Sequence, residues 1–348
     1  MAKKANTFKD VLAKRLKNVT YELTTLDDED NSPIIVTNYL TTGSMALDWV
    51  MGSGLPSGRI VELYGEESSG KSLIAYQVVV SALEKDMDVL YIDSEHAVSD
   101  TILTNLGVDK SRVTYADPDV MEEVFELMET AMNIIAEDDN HPGLLIVWDS
   151  IAATSVKMEQ EADYGKSTMG RHANVMSQGL RKLTGLISQT QTYALFINQT
   201  RENIGVMFGD KVSTFGGKAL KFHASIRIQL YKPKKIKAKK RGQIRVIGAD
   251  TKALCVKNKL SPPYREANLP IYFGHGINDE EALYATLKVL EIIKVSGPSN
   301  TLLIDKEQVK FLKKDWPNIL DTYYEEIETE LFKEPEEYEL VDGESEDD

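Results

Sequence analysis

The sequence predicts an α/β fold built on a mainly parallel central sheet, and two observations support this prediction. Short apolar segments alternate with helical segments, a pattern typical of buried parallel strands separated by helices. A glycine-rich sequence of the phosphate-loop type stands between one apolar segment and the next helical one. The alternating segments are RIVELYG (59–65), KSLIAYQVVVSALEK (71–85), DVLYID (88–93), MEEVFELMETAMNIIAE (121–137), LLIVWDS (144–150), NVMSQGLRKLTGLISQ (174–189) and YALFINQ (193–199).

The two ends of the chain differ in pattern from this centre. Apolar residues at helical spacing predict a short amphipathic helix over residues 7–18, and the acidic stretch 24–33 reads as a linker. After about residue 215 the pattern favours strands, and from residue 280 it favours helices, including 307–314 (EQVKFLKK). We therefore predict a small N-terminal helical segment (1–37), a core (38–277), a small C-terminal α/β domain (278–333) and a tail (334–348).

Charge is distributed unevenly along the 348 residues, whose formal net charge is −15. Residues 334–348 hold nine acidic residues and no basic one, a composition typical of disorder. This tail is either a solubilising appendage or an electrostatic gate that competes with nucleic acid for a basic surface. The run YKPKKIKAKKRGQIR (231–245) holds eight basic residues and no acid, so it is either a solvated hairpin or a nucleic-acid contact.

Several protein classes are disfavoured by composition. No apolar run approaches the roughly 18 residues that a membrane span needs. The basic N-terminus lacks the apolar stretch of a secretory signal. The single cysteine, Cys255, excludes an internal disulfide, is predicted to be buried, and fits a reducing cytoplasm.

The segment GEESSGKS matches the phosphate-loop pattern G-x-x-x-x-G-K-[ST]. Its glycines let backbone amides curl around a phosphate, and the helix that follows adds partial positive charge. In such loops the lysine, here Lys71, reaches the β- and γ-phosphates, and the hydroxyl of Ser72 binds Mg²⁺. The predicted nucleotide-binding residues are Gly65, Glu66, Glu67, Ser68, Ser69, Gly70, Lys71 and Ser72.

Acidic residues at strand ends complete the predicted site. Asp149 ends an apolar strand and is the candidate Mg²⁺ ligand together with Ser72, although Asp93 competes for this role. Glu95 follows two residues later and is the candidate general base, against the alternative of a surface acid. His96 is more simply explained as a structural histidine.

Longer stretches closely resemble the bacterial RecA recombinase family. They are TTGSMALDWVMGSGLPSGRIVELYGEESSGKS, YIDSEHAVSD, MGRHANVMSQGLRKL, FINQTRENIGVMFGD, STFGGKALKFHASIRI and VKNKLSPPYREA, between about residues 41 and 277. The resemblance implies a RecA-type core and a DNA-dependent ATPase that uses ATP and Mg²⁺. It implies helical filaments on single-stranded DNA, strand exchange with homologous duplex DNA, and single-strand-binding and loader proteins as further partners. The divergent termini favour a phage-encoded member, acting in a bacterial or host cytoplasm.

The resemblance also assigns roles to residues around the nucleotide. Glu95 matches the catalytic glutamate, and Gln199 matches a glutamine that senses the γ-phosphate. Lys257 and Lys259 match a pair that reaches the ATP of the neighbouring protomer, where Phe222 matches an interface aromatic. Phe273 matches an aromatic beside the base, whereas Ile102 replaces its usual partner on the other side.

DNA contacts are implied by the same resemblance. Residues 161–169 and 200–214 match the two DNA-binding loops, in which Met169 and Ile204 are the wedging side chains. Asn174 and Asn203 replace basic residues of the family's DNA site. The basic run matches a secondary site for duplex DNA. The implied DNA-binding residues are Met169, Arg171, Ser177, Arg181, Arg201, Ile204, Gly216, Gly217, Lys232, Lys234 and Lys235.

Two other functions stay open at the level of the sequence. One is a RecA-fold motor such as a hexameric helicase, against which the VKNK pair and the 200–214 loop argue. The other is a non-catalytic filament scaffold that binds ATP only as a switch, against which the placement of Glu95 argues.

Overall fold

A computed structural model describes residues 12, 36, 38–138, 140–161, 170–202, 212–231, 233–305 and 307–333. Its strands are β1 (Tyr39–Leu40), β2 (Leu55–Pro56), β3 (Arg59–Gly65), β4 (Asp88–Asp93), β5 (Val113–Ala116), β6 (Leu144–Asp149), β7 (Tyr193–Glu202), β8 (Val212–Thr214), β9 (Ile226–Leu230), β10 (Lys234–Lys240), β11 (Gln243–Asn258), β12 (Glu266–Tyr272), β13 (Gly276–Ile277), β14 (Ile293–Ser296), β15 (Ser299–Ile304) and β16 (Glu307–Leu312). Its α-helices are α1 (Met45–Met51), α2 (Lys71–Glu84), α3 (Asp100–Asn105), α4 (Met121–Ala136), α5 (Lys157–Gln160), α6 (Arg171–Gln189), α7 (Gly217–His223), α8 (Asp279–Val289), α9 (Trp316–Thr322) and α10 (Tyr324–Phe332), with 3₁₀ turns at Lys110–Arg112 and Lys313–Asp315.

The central sheet confirms the predicted parallel architecture. Its strand order is β13-β12-β11-β9-β3-β7-β6-β4-β5, and the strands from β9 to β5 pair in parallel. The strands β11, β12 and β13 extend the sheet in antiparallel fashion. Because β3, β4, β6 and β7 run in parallel, their carboxyl ends meet at one edge, where ligands bind in open α/β sheets.

Apolar side chains cover both faces of this sheet. One buried cluster joins α2 to the sheet, and the other joins α4 and α6 to its opposite face. In the second cluster the rings of Trp148 and Phe196 meet edge to face, with centroids 5.5 Å apart. The sheet strands are therefore buried on both sides, which explains why they read as continuous apolar runs.

The C-terminal part corrects one prediction. Residues 307–314, predicted to be helical, form strand β16 and a 3₁₀ turn. Val309 and Phe311 alternate with exposed residues and face a cluster that includes Leu302 and Trp316. The segment is a strand because its buried residues alternate with a period of two and its backbone pairs with β15. Six residues are too few for helical periodicity to dominate.

The basic run forms a β-hairpin. Strand β10 pairs with the first half of β11 in antiparallel register, from Lys234 opposite Asp250 to Lys240 opposite Gln243. The turn residues Arg241 and Gly242 have φ of 52° and 82°. Two consecutive positive φ values are the signature of a tight two-residue hairpin turn. Among the described residues, no helix is both long enough and apolar enough to cross a bilayer.

Candidate functional site

The phosphate loop connects the end of β3 to the start of α2, as the sequence predicts. Its two glycines are required by close approaches. A Cβ on Gly65 would lie 2.4 Å from the carbonyl oxygen of Leu230, and one on Gly70 would lie 2.4 Å from Cδ1 of Ile271. Gly70 also has a φ of 97°, in the region that favours glycine. The loop therefore lies tightly against β9 and β12.

Lys71 lies folded back into this loop. Its Nζ donates to the carbonyl oxygens of Gly65 at 3.2 Å and Glu66 at 2.7 Å. Burial lowers the pKa of Lys71, while the carboxylates of Asp149, Glu95 and Glu67 oppose that shift. The ammonium group is thus held beside the loop backbone, where a phosphate would meet it.

A cavity of about 480 Å³ opens over the loop. It brings together residues from the carboxyl ends of β4, β6 and β7 and from the antiparallel part of the sheet. Gly65 and Glu66 do not line it, although both were predicted to contact the nucleotide. Its described lining comprises Glu67, Ser68, Ser69, Gly70, Lys71, Ser72, Leu73, Glu95, Asp149, Gln199, Ala249, Ile271 and Phe273.

The two sides predicted to hold the base differ in character. Phe273 lines the cavity and is 59% exposed, so its ring is free to meet a flat ligand. Ile102 packs instead against the buried cluster on the α2 side of the sheet and does not line the described cavity. With isoleucine instead of an aromatic residue at position 102, Phe273 is the member of this pair that can stack on the base.

The structure distinguishes the two candidate metal ligands. Asp149 is 6% exposed and lines the cavity, and Ser72 hydrogen-bonds to it. Burial raises the pKa of Asp149, and the hydrogen bonds from Ser72 and Tyr91 counteract this. The Asp93 carboxylate instead accepts hydrogen bonds from the backbone amides of Glu95, Ala97 and Val98 at 3.1–3.3 Å. Asp93 thus shapes the turn that carries Glu95.

Glu95 is held by two donors. The Ser150 hydroxyl and the Gln199 side-chain amide both donate to its Oε1, the latter at 2.6 Å. Gln199 and Glu95 were predicted separately, and the structure places them in contact. Ser150 was missed by the sequence reasoning, and its position directly after the strand-end Asp149 is the signal that would have found it.

A buried polar network behind Gln199 was also missed. Asn198 Nδ2 donates to Glu62 Oε1 and to the Phe215 carbonyl, both at 3.0 Å. Glu62, fully buried, also pairs with Arg227, whose guanidinium lies 4.6 Å from the ring centroid of Tyr64. The network connects the end of β7 to the residues that follow the second predicted DNA loop. No local pattern signals it, because its members lie on three different strands and a turn.

The two lysines predicted to act on a neighbouring protomer lie at the C-terminal end of α7. Lys257 Nζ donates to the carbonyls of Lys221 and Phe222, and Lys259 Nζ donates to that of Phe222 at 2.9 Å. Burial, with the charges of Lys259 and Arg227, lowers the pKa of Lys257 to about 8. The Phe222 side chain is 70% exposed. Neither lysine lines the described cavity of its own chain.

Two of the described DNA-binding candidates line a second cavity of about 490 Å³. Gly216 and Gly217 line it at the start of α7, beside Gly170, which follows the first predicted loop, and Thr214, the last residue of the second. Arg171, Ser177 and Arg181 lie along α6, where Arg181 Nε donates to the Ser177 carbonyl at 3.1 Å. Arg201 lies in β7, with its side chain outside the description; Met169, Ile204 and Lys232 lie outside the described residues.

A hydrogen bond at the root of the first loop was missed by the sequence reasoning. His172 Nε2 lies 2.6 Å from Glu159 Oε2, so α5 and α6 are linked across the segment between them. The remaining basic candidates, Lys234 and Lys235, are exposed on β10. They lie beside the exposed Lys237 and Lys239 of the same strand, as a basic surface requires.

Comparison with known proteins shows the family of this chain. Residues 19–278 match the family described as the RecA N-terminal domain. The chain belongs to the RecA family. It is 39% identical over 307 residues to Protein RecA of Bifidobacterium breve, covering 86% of this chain and 76% of that one. Protein RecA of Arthrobacter sp. is 44% identical over 273 residues, covering 78% and 74%, and that of Chlorobaculum tepidum is 36% identical over 337 residues, covering 92% and 94%.

Membership of the RecA family decides the function at a coarse level. The chain is a DNA recombinase that acts in recombination and repair. RecA-family proteins are DNA-dependent ATPases that use ATP with Mg²⁺ and form filaments on DNA. The comparisons favour neither a hexameric helicase nor a non-catalytic scaffold.

Proposed function

We propose that this chain hydrolyses ATP in the cavity over the phosphate loop and couples hydrolysis to strand exchange within a filament. The observation that carries the proposal is the convergence of Lys71, Glu95, Asp149 and Gln199 on one cavity. Each residue reaches it from a different segment, so the site depends on the whole parallel sheet.

The donor set fits a nucleotide with Mg²⁺. A serine hydroxyl and a carboxylate are oxygen ligands of the kind that Mg²⁺ prefers, and Ser72 and Asp149 contact each other at the cavity wall. Held by these two residues, Mg²⁺ would supply positive charge that neutralises the phosphates of the nucleotide. Lys71 contributes a second positive charge by exchanging its loop carbonyls for phosphate oxygens.

Glu95 orients and deprotonates the attacking water in this proposal. Its Oε1 accepts from both Ser150 and Gln199, and these bonds fix the direction in which the carboxylate points. A γ-phosphate that attracts the Gln199 amide would loosen that bond. Gln199 then reports the nucleotide state to the second DNA loop, which begins at the next residue.

The lysines beside Phe222 act on a neighbouring protomer. Lys257 and Lys259 rest on helix carbonyls of their own chain and lie beside an exposed aromatic, which is typical of an interface. In a filament they stabilise transition-state charge in the neighbour's cavity, as an arginine finger does.

DNA occupies two surfaces in the proposal. The loops 161–169 and 200–214, with Arg171, Gly216 and Gly217, hold the first strand. The basic hairpin holds the duplex or the displaced strand, and the acidic tail 334–348, which lies outside the described residues, screens that hairpin. The domain boundaries given above, single-strand-binding and loader partners, and action in the bacterial or host cytoplasm remain predictions.

A strand-exchange assay between circular single-stranded DNA and homologous linear duplex tests the proposed function. Joint molecules should form with ATP and Mg²⁺ and fail without either, and negative-stain images should show helical filaments on the single strand. Closed rings, or exchange that ignores ATP, would contradict it.

A further inference from the structure

A buried tyrosine lies directly beneath the proposed metal ligand. Tyr91 lies on β4, and its hydroxyl donates to Asp149 Oδ2 on the neighbouring β6 at 2.9 Å. Tyr91 is 3% exposed and does not line the cavity, whereas Asp149 does. The hydroxyl therefore contacts the carboxylate from the protein side and leaves the cavity side open to a ligand.

A second tyrosine supports the first. Tyr76 of α2 hydrogen-bonds to Tyr91, and the two ring centroids are 5.7 Å apart at an interplanar angle of 35°. The backbone amide of Ser99 in turn donates to the Tyr76 oxygen. The Ser99 amide, Tyr76, Tyr91 and Asp149 thus form one continuous hydrogen-bonded series.

This hydrogen-bonded series reaches both sides of the site. Tyr76 is one helical turn after Ser72, so it lies on the same face of α2 as the serine that contacts Asp149. Ser99 ends the segment that carries Glu95 and caps α3. Successive hydrogen bonds in a low-dielectric interior polarise and strengthen one another. Asp149 is therefore fixed by a network that includes the proposed base segment.

The apolar packing does not need the hydroxyl. Tyr91 lies in a buried cluster of apolar side chains, where a phenylalanine ring would pack equally well. What the oxygen adds is a hydrogen bond to a buried carboxylate, which is costly to leave unpaired. Partners behind a metal-binding side chain commonly set its orientation and its affinity.

We propose that Tyr91, supported by Tyr76, is a positioning residue that orients Asp149 for Mg²⁺. This inference rests on the proposed nucleotide site, and it concerns the hydrogen bond that Asp149 accepts from Tyr91 behind that site. It predicts that the Tyr91 hydroxyl acts on metal affinity and leaves the chemical step intact once metal is saturating.

The experiment measures metal binding directly, without turnover. Mn²⁺ is titrated into the full-length chain with ADP and followed by electron paramagnetic resonance, for wild type, Tyr91→Phe, Tyr76→Phe and Tyr115→Phe. Tyr115→Phe is the matched control, because Tyr115 donates to Asp93, at 3.2 Å, and Asp93 does not line the described cavity. Thermal unfolding of each variant checks the fold.

Tyr91→Phe should weaken Mn²⁺ binding about tenfold, Tyr76→Phe should weaken it less, and Tyr115→Phe should match wild type. The ATPase rate of Tyr91→Phe should return to the wild-type value at saturating Mg²⁺. Wild-type affinity in Tyr91→Phe would overturn the inference, as would an equal loss in Tyr115→Phe or a rate that Mg²⁺ does not restore. If Tyr91→Phe does not fold, unchanged affinity in Tyr76→Phe overturns it. Metal binding by wild type that does not depend on ADP would overturn the proposed site and this inference together.

Discussion

The nucleotide cavity and the basic hairpin place charge in opposite environments. In the cavity, Lys71 and Asp149 are 8% and 6% exposed and bond to backbone or side-chain partners at fixed distances. On the hairpin, Lys234, Lys235, Lys237 and Lys239 are exposed along one strand. Buried charges act singly and strongly over short distances, whereas exposed charges act together and are screened by salt. Substitutions should therefore affect chemistry in the first region and affinity in the second.

The largest effect is expected in the cavity. Glu95→Gln removes the proposed base but keeps an oxygen that can accept from Ser150 and Gln199. DNA-stimulated phosphate release should fall by about 10²–10⁴-fold, the usual contribution of a general base, while nucleotide binding is retained. Glu126→Gln, which changes an exposed acid of α4 that does not line the described cavity, is the control and should leave phosphate release unchanged. Unchanged phosphate release in Glu95→Gln would show that another group activates the water.

Removal of the hairpin charges should have the next largest effect. Replacing Lys234, Lys235, Lys237 and Lys239 with alanine should weaken duplex capture and flatten its log–log salt dependence by about 3, at 0.7–0.9 per phosphate contact. Single-strand binding and ATP hydrolysis should be spared. Replacing the same four lysines with arginine keeps the charge and should preserve capture. Equal loss of all three activities in the alanine variant would contradict a second DNA site.

The next effect is a pH dependence of kcat/KM that comes from Lys257, which belongs to neither region. Its pKa is lowered to about 8, so its positive charge is present below that pH and is lost as the pH rises through it. If the charge acts on the neighbour's ATP, kcat/KM should decline on the alkaline side by about tenfold per unit. Lys257→Arg stays charged and should remove that decline, whereas Lys259→Arg should leave it in place. A decline that persists in Lys257→Arg belongs to another group.

The smallest effect is expected from the tail. Deleting residues 334–348 removes nine acidic residues and should speed duplex capture at low salt. The gain should shrink as salt is added, since screening already weakens the tail. A variant that keeps the tail length but replaces its acids with Asn and Gln distinguishes the effect of the tail's charge on capture from the effect of its size. No change in capture rate after deletion would identify the tail as a solubilising appendage only.

The sequence by itself determined the parallel sheet, the phosphate loop and the family. Short stretches of sequence are enough to recognise these features. A buried parallel strand is a short apolar run, and a phosphate loop needs its glycines and lysine at fixed spacing. Glu95 and Asp149 could be predicted for the same reason, because parallel strands end at one edge. The role of Gln199 was implied only by the resemblance to the RecA family.

Only the tertiary structure decided which side chains contact one another across the chain. The bond from Tyr91 to Asp149 spans 58 residues, and the pair of Arg227 and Glu62 spans 165. Both depend on strand order and register, which no local pattern specifies. The same dependence explains the error at 307–314, where pairing with β15 turned a segment predicted as helix into a strand. The pKa of Lys257 likewise follows from burial and neighbouring charges, which exist only once the chain has folded.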